Sequence, residues 1–345
     1  MSRRHSPTMA DRHIESLLAR HPRMRELPDG MCDANSPEAA SFKFYVNKPT
    51  NLNTFYATPG EANQLYIQGY MVDLYDIELY SRWRQCRHVY HFDPNLSKAL
   101  ADTVLPDNMA VDVLNRLPYH VIYVSAPMTL QGPNGFELKL DGFFAYIGNY
   151  VRRKADYMPI GPERSLMMFP IVDGHPEWRL FSAYSLEVET FGEMVDDVLR
   201  GDAFNPNDDF QNEAQRNVAR HEMNYDLNHL LYLISENCEQ EVIYRPSGNS
   251  RRASKTSQST IHAVGQRVGR ALGQAKVHHK GSGGGVGTSP RTHVRCGHFH
   301  HYWVGPRSNP EKRRLTVRWI DPLVVNASNG DPAETVTHEA RQITG

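Results

Sequence analysis

Side chains that could carry out chemistry are concentrated between His293 and Trp319. This stretch holds four of the seventeen histidines, one of the four cysteines and two of the four tryptophans. It reads HVRCGHFHHYWVG as far as Gly305, passes through a polar turn, and continues as KRRLTVRW from Lys312. Imidazole and thiol groups bind metals and transfer protons, and guanidinium groups hold phosphate or carboxylate. The stretch therefore predicts a functional site, and the spacing of its residues bears on which kind.

The spacing predicts a β-hairpin over residues 293–320. Two β-like runs flank a turn that contains Gly305, Pro306, Asn309 and Pro310. Because side chains alternate along a strand, the first strand divides into His298, His300 and Tyr302 on one face and Phe299, His301 and Trp303 on the other. The second strand divides into Arg314, Thr316 and Arg318 against Leu315, Val317 and Trp319. One face of the hairpin is thus aromatic and aliphatic, and the opposite face gathers His, Tyr and Arg.

Four interpretations of this hairpin remain open from the residues alone. His298 and His300, with His293 or Cys296, resemble part of a zinc site, but the ligand set is incomplete and arginines surround it, so no metal or cofactor is predicted. His298 and His300 are also candidate catalytic residues of a ribonuclease-like acid/base pair. A binding surface is the third interpretation, with these candidate residues: His293, Arg295, His298, His300, Tyr302, Trp303, Arg314, Arg318 and Trp319. The fourth is a buried polar network that fixes the hairpin to the core.

The net charge of −1 conceals a strong asymmetry along the chain. Residues 246–320 contain fourteen Lys or Arg and one acid, Glu311, a net of +13, whereas residues 1–245 have a net of −11. Such segregation indicates either an anionic partner for the basic segment or mutual neutralisation of the two parts within one fold. The candidate RNA-facing residues outside the binding set are Arg267, Arg270, Lys276, Lys280, Arg291, Lys312 and Arg313.

The composition is that of a soluble globular protein of the cytoplasm. Hydrophobic residues make up 40% of the 345 residues, and no apolar run is long enough to span a membrane. The charged start is not followed by the apolar stretch of a signal peptide. Four widely spaced cysteines fit a reducing compartment. No membrane partner is expected.

The fold expected is α+β, an antiparallel sheet packed with several helices, with a basic C-terminal hairpin. Helical periodicity is found over residues 60–83, 191–200 and 213–236, with shorter helices near Asp11 to Arg25 and after Pro106. Short apolar runs separated by turn signals predict strands at residues 89–92, 120–124, 142–147, 166–169 and 178–184. His221 and His229 on the helix over 213–236 are expected to be surface or hydrogen-bonded core histidines.

Two regions are expected from composition. Residues 1–245 form an acidic α+β domain, with a poorly ordered start over residues 1–35. Residues 246–345 form a basic segment with a helix over 261–275, a flexible linker over 276–290, the hairpin over 293–320 and a polar tail. Gly265, Gly269 and Gly273 recur every fourth residue on the predicted helix, which allows close approach of another backbone.

The hairpin sequence resembles the C-terminal signature of the second type V-A anti-CRISPR family. The residues that carry this resemblance are His293-x-Arg-x-Gly-His-Phe-His-x-Tyr-Trp-x-Gly305, then Val317-Arg-Trp319, Pro322 and Val325-Asn326. Weaker similarities extend over most of residues 60–328, including Gly265-x-Arg-x-Gly269, Leu105-Pro-Asp107 with Leu117-Pro118, and Gly142-Phe143 with Ala145.

The resemblance implies a phage- or plasmid-encoded protein that evades host defence in the bacterial cytoplasm. Members block production of the type V-A CRISPR effector nuclease by recognising its N-terminal nascent polypeptide during translation, after which its mRNA is degraded. The implied partners are that N-terminal peptide together with the ribosome, the mRNA or a host ribonuclease. No catalytic residues are carried over, so a peptide- and RNA-binding regulator is expected rather than an enzyme. The alternatives are a histidine-dependent endoribonuclease that uses His298 and His300, and a basic nucleic-acid-binding protein of a mobile element.

Overall fold

The computed structural model describes residues 7–20, 25, 70–131, 137–153, 159–175, 182–199, 213–246, 259–279, 293–295 and 297–325. Within these ranges lie six α-helices: α1 (Met9–Arg20), α2 (Tyr70–Cys86), α3 (Pro94–Ala101), α4 (Phe191–Leu199), α5 (Glu213–Ile234) and α6 (Gln266–His279). Short 3-10 helices cover Val111–Arg116 and Pro310–Lys312. The strands are β1 (His88–Phe92), β2 (Ile122–Gln131), β3 (Glu137–Arg153), β4 (Pro159–Val172), β5 (Ser182–Ser185), β6 (Gln240–Tyr244), β7 (Thr260–Val264), β8 (His293–Arg295), β9 (His298–Val304), β10 (Arg314–Ile320) and β11 (Leu323–Val325).

A seven-stranded mixed sheet forms the centre of the fold, in the order β5-β4-β3-β2-β1-β7-β6. Four of its neighbouring pairs are antiparallel, whereas β1 runs parallel to both β2 and β7. The α+β class is confirmed, and the antiparallel expectation holds except at β1. The connection from β1 to β2 contains α3 and a 3-10 helix, which supplies the length that a parallel crossover requires. This strand–helix–strand unit was not predicted from the sequence.

The start of α3 shows why that unit was missed. The sequence predicted a strand at residues 89–92 and no helix directly after it, but Asp93 is the N-cap of α3 and Pro94 is its first residue. The Asp93 carboxylate accepts hydrogen bonds from the backbone N–H groups of Asn95 at 2.8 Å and Leu96 at 3.3 Å. Aspartate before proline is a strong helix start signal, because the carboxylate satisfies free N–H groups and proline needs none.

The predicted helix over 261–275 is wrong at its start. Residues Thr260–Val264 form β7, which is buried between β1 and β6. Gly265 then takes a positive φ of 68°, which ends the strand, and α6 begins at Gln266. The linker predicted from residue 276 is also wrong for residues 276–279, which are helical; residues 280–290 lie outside the described ranges.

The glycine repeat brings α6 against the start of α3. A Cβ atom placed on Gly269 would lie 1.8 Å from the Asp93 Oδ1 atom, and one on Gly273 would lie 2.9 Å from the Asn95 Nδ2 atom. At Gly265 the same atom would lie 1.9 Å from a Leu96 methyl carbon. The sequence predicted the close approach of another backbone at these glycines, whereas the nearest atoms are side-chain atoms of Asp93, Asn95 and Leu96.

Helices cover both faces of the sheet. The first core lies between the sheet and helices α1 and α2, with Leu17, Trp83 and Phe144 fully buried. The second core lies on the opposite face, under α3, α4 and α5, and it includes the inward side chains of β9 and β10. The short helix expected near Asp11 is α1, and the helix expected over 60–83 is found as α2, with residues 60–69 outside the described ranges.

The acidic and basic segments of the sequence share this architecture. Strand β7, from the basic segment, pairs with β1 and with β6 of the acidic segment. Trp319 of β10 packs edge-on against Tyr232 of α5, with ring centres 5.6 Å apart. Within the described ranges, no helix combines the length and apolar character that crossing a bilayer requires. The polar tail expected at the C-terminal end of the sequence lies outside those ranges.

Candidate functional site

Strands β9 and β10 form the predicted antiparallel hairpin. Phe299 lies opposite Trp319, and His301 lies opposite Val317. His300 lies opposite Arg318, and Tyr302 lies opposite Thr316. Opposed residues share a face of the ribbon, so the division into an aromatic–aliphatic face and a His/Tyr/Arg face is confirmed.

The aromatic–aliphatic face is buried over most of its length. Phe299, Leu315 and Val317 are buried, and Trp319 is 0% exposed. The Trp319 ring also lies over Gly297, where a Cβ atom would be 2.8 Å from the Cζ2 atom of the ring. Trp319 was predicted to be a binding residue; its position in the core gives it a packing role, with no surface left for a partner.

A polar clip fixes the hairpin to the end of α5. The Glu236 N–H group donates to the Val317 carbonyl oxygen at 2.9 Å. The Asn237 side chain donates to the Trp319 carbonyl oxygen at 2.8 Å and accepts from the Trp319 N–H group at 3.1 Å. These bonds occupy the outer edge of β10 and tie the ribbon to the main body of the molecule.

We define the His/Arg face as His298, His300, Tyr302, Arg314 and Arg318. Glu236 organises its centre: the Tyr302 hydroxyl donates to the Glu236 Oε2 atom at 2.6 Å, and an Arg314 nitrogen lies 3.7 Å from the Oε1 atom. This hydrogen bond to the carboxylate raises the pKa of Tyr302 above its ordinary value. The His300 and Tyr302 rings are stacked at 27°, with centres 5.7 Å apart. Both histidines of the face are exposed, and Arg314 is 70% exposed.

The hairpin tip, residues 303–314, extends past the core. Trp303 is 56% exposed even though it lies on the face that is buried elsewhere in the ribbon. The Arg313 guanidinium lies over the Trp303 ring, 5.7 Å from its centre. Arg307 and Lys312 are exposed beside them. The tip thus combines an accessible indole ring with four cationic side chains, those of Arg307, Lys312, Arg313 and Arg314.

Two further candidate binding residues, His293 and Arg295, lie outside the β9–β10 hairpin. His293 and Arg295 belong to β8, which pairs with β11 in a separate two-stranded ribbon. The side chains of these two residues, and Cys296, lie outside the described part of the chain. In the described part, no group of three or more His, Cys, Asp or Glu side chains could hold a metal ion.

The RNA-facing candidates on α6 are only partly described. Arg267 and Arg270 are exposed on this helix. The Glu239 carboxylate caps the same helix, accepting from the N–H groups of Arg267 at 3.0 Å and Val268 at 3.2 Å. Lys276 lies on the last turns of α6, without a described side chain, and Lys280 and Arg291 lie outside the described ranges.

A pair of histidines joins β1 to β7, and no pattern in the sequence indicated it. The His88 Nδ1 atom lies 2.9 Å from the His262 Nε2 atom. Tyr119 stacks on His88 with ring centres 3.4 Å apart, and Tyr90 stacks on His262 at 4.5 Å. Burial, reinforced by His262, lowers the pKa of His88 to about 4. Two neutral imidazoles that share one hydrogen bond are suited to joining strands rather than to proton transfer near pH 7.

Two titratable clusters lie along α5. His229 is fully buried, with its Nε2 atom 2.8 Å from the Ser97 hydroxyl and its Nδ1 atom 2.6 Å from the Tyr225 carbonyl oxygen. His221 is exposed, so the prediction of surface and hydrogen-bonded core histidines is confirmed. Burial raises the pKa values of Glu222 and of Asp226, which accepts a 3.1 Å hydrogen bond from Tyr184.

Comparison with known proteins agrees with the hairpin signature. The model of the anti-CRISPR type V subtype A2 family, described as AcrVA2-like, matches residues 90–327. A solved structure, the crystal structure of AcrVA2, superposes with a TM-score of 0.55 and 17% sequence identity, covering 93% of this chain and 100% of that chain. At this identity the likeness concerns the fold. No protein with a curated description matches the sequence. Because the family model spans most of the chain, including both strands of the hairpin, this chain belongs to the anti-CRISPR type V subtype A2 family.

Proposed function

We propose that this protein represses production of the type V-A CRISPR effector nuclease by recognising its N-terminal peptide during translation, with loss of the nuclease mRNA as the result. The observation that carries the proposal is family membership over residues 90–327, which include six of the seven sheet strands, the second core and the hairpin. The protein acts in the cytoplasm of the host bacterium, where that translation takes place. It acts through binding and uses no catalytic residue of its own.

An exposed edge strand supports recognition of an extended peptide. β6 is at the edge of the seven-stranded sheet and pairs only with β7 in the described part of the sheet. Val242 and Ile243 on this strand are 40% and 56% exposed, which is unusual for large apolar side chains. A peptide that adds to such an edge gains main-chain hydrogen bonds, and the exposed apolar side chains supply selectivity.

The distribution of charge along the chain supports one surface for the peptide and another for RNA. Residues 1–245 have a net charge of −11, so they attract a peptide that bears Lys and Arg, whereas the +13 of residues 246–320 attracts RNA. A protein that acts at the ribosome on a nascent chain and on its mRNA needs both kinds of surface.

A transcript assay tests the proposal. Effector mRNA is measured in cells that express this protein, with the effector start codon intact or removed. We expect mRNA loss only with the intact start codon, and we expect relief of that loss in the double variant Val242→Lys/Ile243→Lys. Asp196→Lys is the control with the same change in charge, because Asp196 is exposed on α4, which contacts β5 at the opposite edge of the sheet from β6.

Two results would contradict the proposal. Equal mRNA loss without the start codon would show that recognition does not depend on translation. Full repression by the double variant, with repression also intact in Asp196→Lys, would exclude the β6 edge as the peptide-binding surface.

A further inference from the structure

We propose that the His/Arg face and the hairpin tip together bind single-stranded nucleic acid, with RNA as the ligand in the cell. This inference deepens the proposed function and rests on it for the setting in which the RNA is met. The chemistry of the ligand, however, follows from the surface of the hairpin itself.

The surface of the hairpin is positively charged. The described residues of β9, the tip and β10 include Arg307, Lys312, Arg313, Arg314 and Arg318 against a single acid, Glu311. Glu236 at the end of α5 is the carboxylate that contacts the His/Arg face, and it ion-pairs with Arg314 at 3.7 Å. The surface therefore keeps a positive excess, which suits a chain of phosphates more than a single anion.

Aromatic rings are interleaved with these cations. His300 and Tyr302 are two residues apart on β9, so their rings project from the same face of the ribbon, with ring centres 5.7 Å apart. At the tip the Trp303 ring is 56% exposed. Exposure of the apolar indole ring to water is unfavourable. Stacking on a base would bury the ring without requiring a particular base sequence.

Side chains of this surface are held in place before a ligand arrives. The Tyr302 hydroxyl is fixed by its 2.6 Å hydrogen bond to Glu236, and Arg313 lies over the Trp303 ring. The Arg313 Nε atom is buried and makes no hydrogen bond to the described part of the chain. Side chains that are already ordered lose less entropy on binding than side chains that move freely in water. The arrangement therefore favours the binding of a ligand.

The geometry favours a single strand over a duplex. The tip is uncovered on both sides, so Trp303 on one face and Arg314 on the other are accessible to one flexible strand that passes around it. Base faces are hidden inside a duplex, so rings on a narrow ribbon could contact only its backbone. An acidic peptide would satisfy the arginines but would offer the three rings few flat partners.

Binding of a labelled oligouridine to the purified full-length protein tests the proposal. Fluorescence anisotropy at several salt concentrations gives the affinity, and Trp fluorescence reports stacking on Trp303. We expect Trp303→Ala to weaken binding by at least about five-fold, and Trp303→Phe to retain most of the affinity while losing the Trp303 part of the quenching. For Arg314→Ala/Arg318→Ala we expect the slope of log affinity against log salt to fall by about 0.7 for each phosphate that the variant no longer neutralises.

Arg220→Ala is the matched charge control. Arg220 is exposed on α5, about 20 Å along the helix axis from the end that clips the hairpin. Its removal should leave oligouridine binding unchanged. The melting temperature of each variant shows whether loss of binding reflects unfolding. We expect unchanged melting temperatures, because Trp303 and Arg314 are exposed.

The remaining ligands distinguish the alternatives. Tighter binding of oligouridine than of oligothymidine identifies RNA, and equal binding of the two still supports a single-strand surface. The proposal would be overturned if the protein did not bind oligouridine, or if it bound duplex RNA as tightly as oligouridine. It would also be overturned if polyglutamate of equal charge displaced oligouridine, or if Arg220→Ala weakened binding as much as the hairpin variants do. Repression of nuclease production without oligouridine binding would overturn this inference alone. Oligouridine binding without repression would support it and would refute the proposed function.

Discussion

Asp226 and Glu222 lie one helical turn apart on α5 and form no ion pair within the described part of the chain. Tyr184 donates the hydrogen bond that Asp226 receives, at 3.1 Å. Burial is the main cause of the raised pKa of each carboxyl, and for Asp226 the neighbouring Glu222 adds to it. The folded state therefore holds these protons more tightly than the unfolded state. Their contribution to stability is present below the ordinary carboxyl pKa and is lost as the pH rises through the raised values.

Asp226→Asn should stabilise the protein at neutral pH. The amide oxygen keeps an acceptor for Tyr184, while the burial of a negative charge is avoided. We expect the free energy of unfolding near pH 7.5 to rise by on the order of 1 kcal/mol, and the gain to shrink toward pH 4. Thermal unfolding across this pH range measures both effects.

The exposed Asp196 provides the control for this change. Asp196→Asn should leave stability and its pH dependence nearly unaltered, because a solvated carboxylate has no desolvation penalty. A fall in melting temperature in Asp226→Asn at every pH would show that the structure needs the negative charge at this position.

At the scale of elements, the contact between α3 and α6 depends on the absence of a side chain. Alanine would suit the interior of α6 better than glycine by about 1 kcal/mol from helix propensity alone. At Gly269, however, its Cβ atom would lie 1.8 Å from the Asp93 Oδ1 atom, which caps α3. The two effects therefore oppose each other, and the steric one is the larger.

Gly269→Ala should lower the free energy of unfolding by about 1–3 kcal/mol, since it combines overpacking with displacement of an N-cap. Gly273→Ala is the comparison, because its Cβ atom would lie 2.9 Å from the end of the flexible Asn95 side chain, which can move. Chemical denaturation of both variants measures the difference. A stabilised Gly269→Ala protein would show that α3 and α6 pack less closely than the structure indicates.

The elements also show what the sequence can and cannot predict. Period-two alternation was enough to place His300 and Trp319 on opposite faces of the hairpin. The glycine spacing predicted a close approach but not its kind, since side chains at the start of α3 rather than another backbone lie against these glycines. The pairing of β1 with β7 was not predictable, because His88 and His262 are 174 residues apart and no local pattern encodes their contact. Residues 261–264 were mistaken for the start of a helix, because tertiary burial in the sheet decided the conformation of this short segment.

The candidate site was predictable to a similar extent. Residue types identified the hairpin, but exposure separates Trp303 from Trp319, and exposure depends on where the core ends. Asn237 and Glu236, which hold the ribbon in place, are ordinary polar residues after a helix, so their role appears only in three dimensions. Alternation along the strands thus predicted the faces of the ribbon, whereas the packing of α5 determined which side chains are free to meet a partner.

At the scale of the whole molecule, charge segregation does not correspond to structural separation. The basic segment supplies β7 to the interior of the sheet and Trp319 to the second core. We therefore expect the hairpin and the sheet to unfold together rather than as two independent units.

A comparison of the two hairpin tryptophans tests this expectation. Trp319→Ala should lower the free energy of unfolding by about 3–5 kcal/mol, because removal of a fully buried ring leaves a cavity. Trp303→Ala should have little effect on stability, since its ring is exposed. Far-ultraviolet circular dichroism and near-ultraviolet aromatic signals should follow one coincident transition in each variant. An early, separate transition in Trp319→Ala would indicate that the hairpin unfolds independently.

The position of β7 has a consequence for how this chain is made. β1 is synthesised early, but one of its two neighbours, Thr260–Val264, leaves the ribosome only after about half the chain has been added behind β1. Until then β1 has an open edge, and β6 has no neighbour in the sheet at all. A product that stops between β7 and β10 has a complete sheet but an uncovered second core, because Trp319 is missing. Premature stops in this interval should therefore yield a substrate for proteases and chaperones rather than a shortened inhibitor.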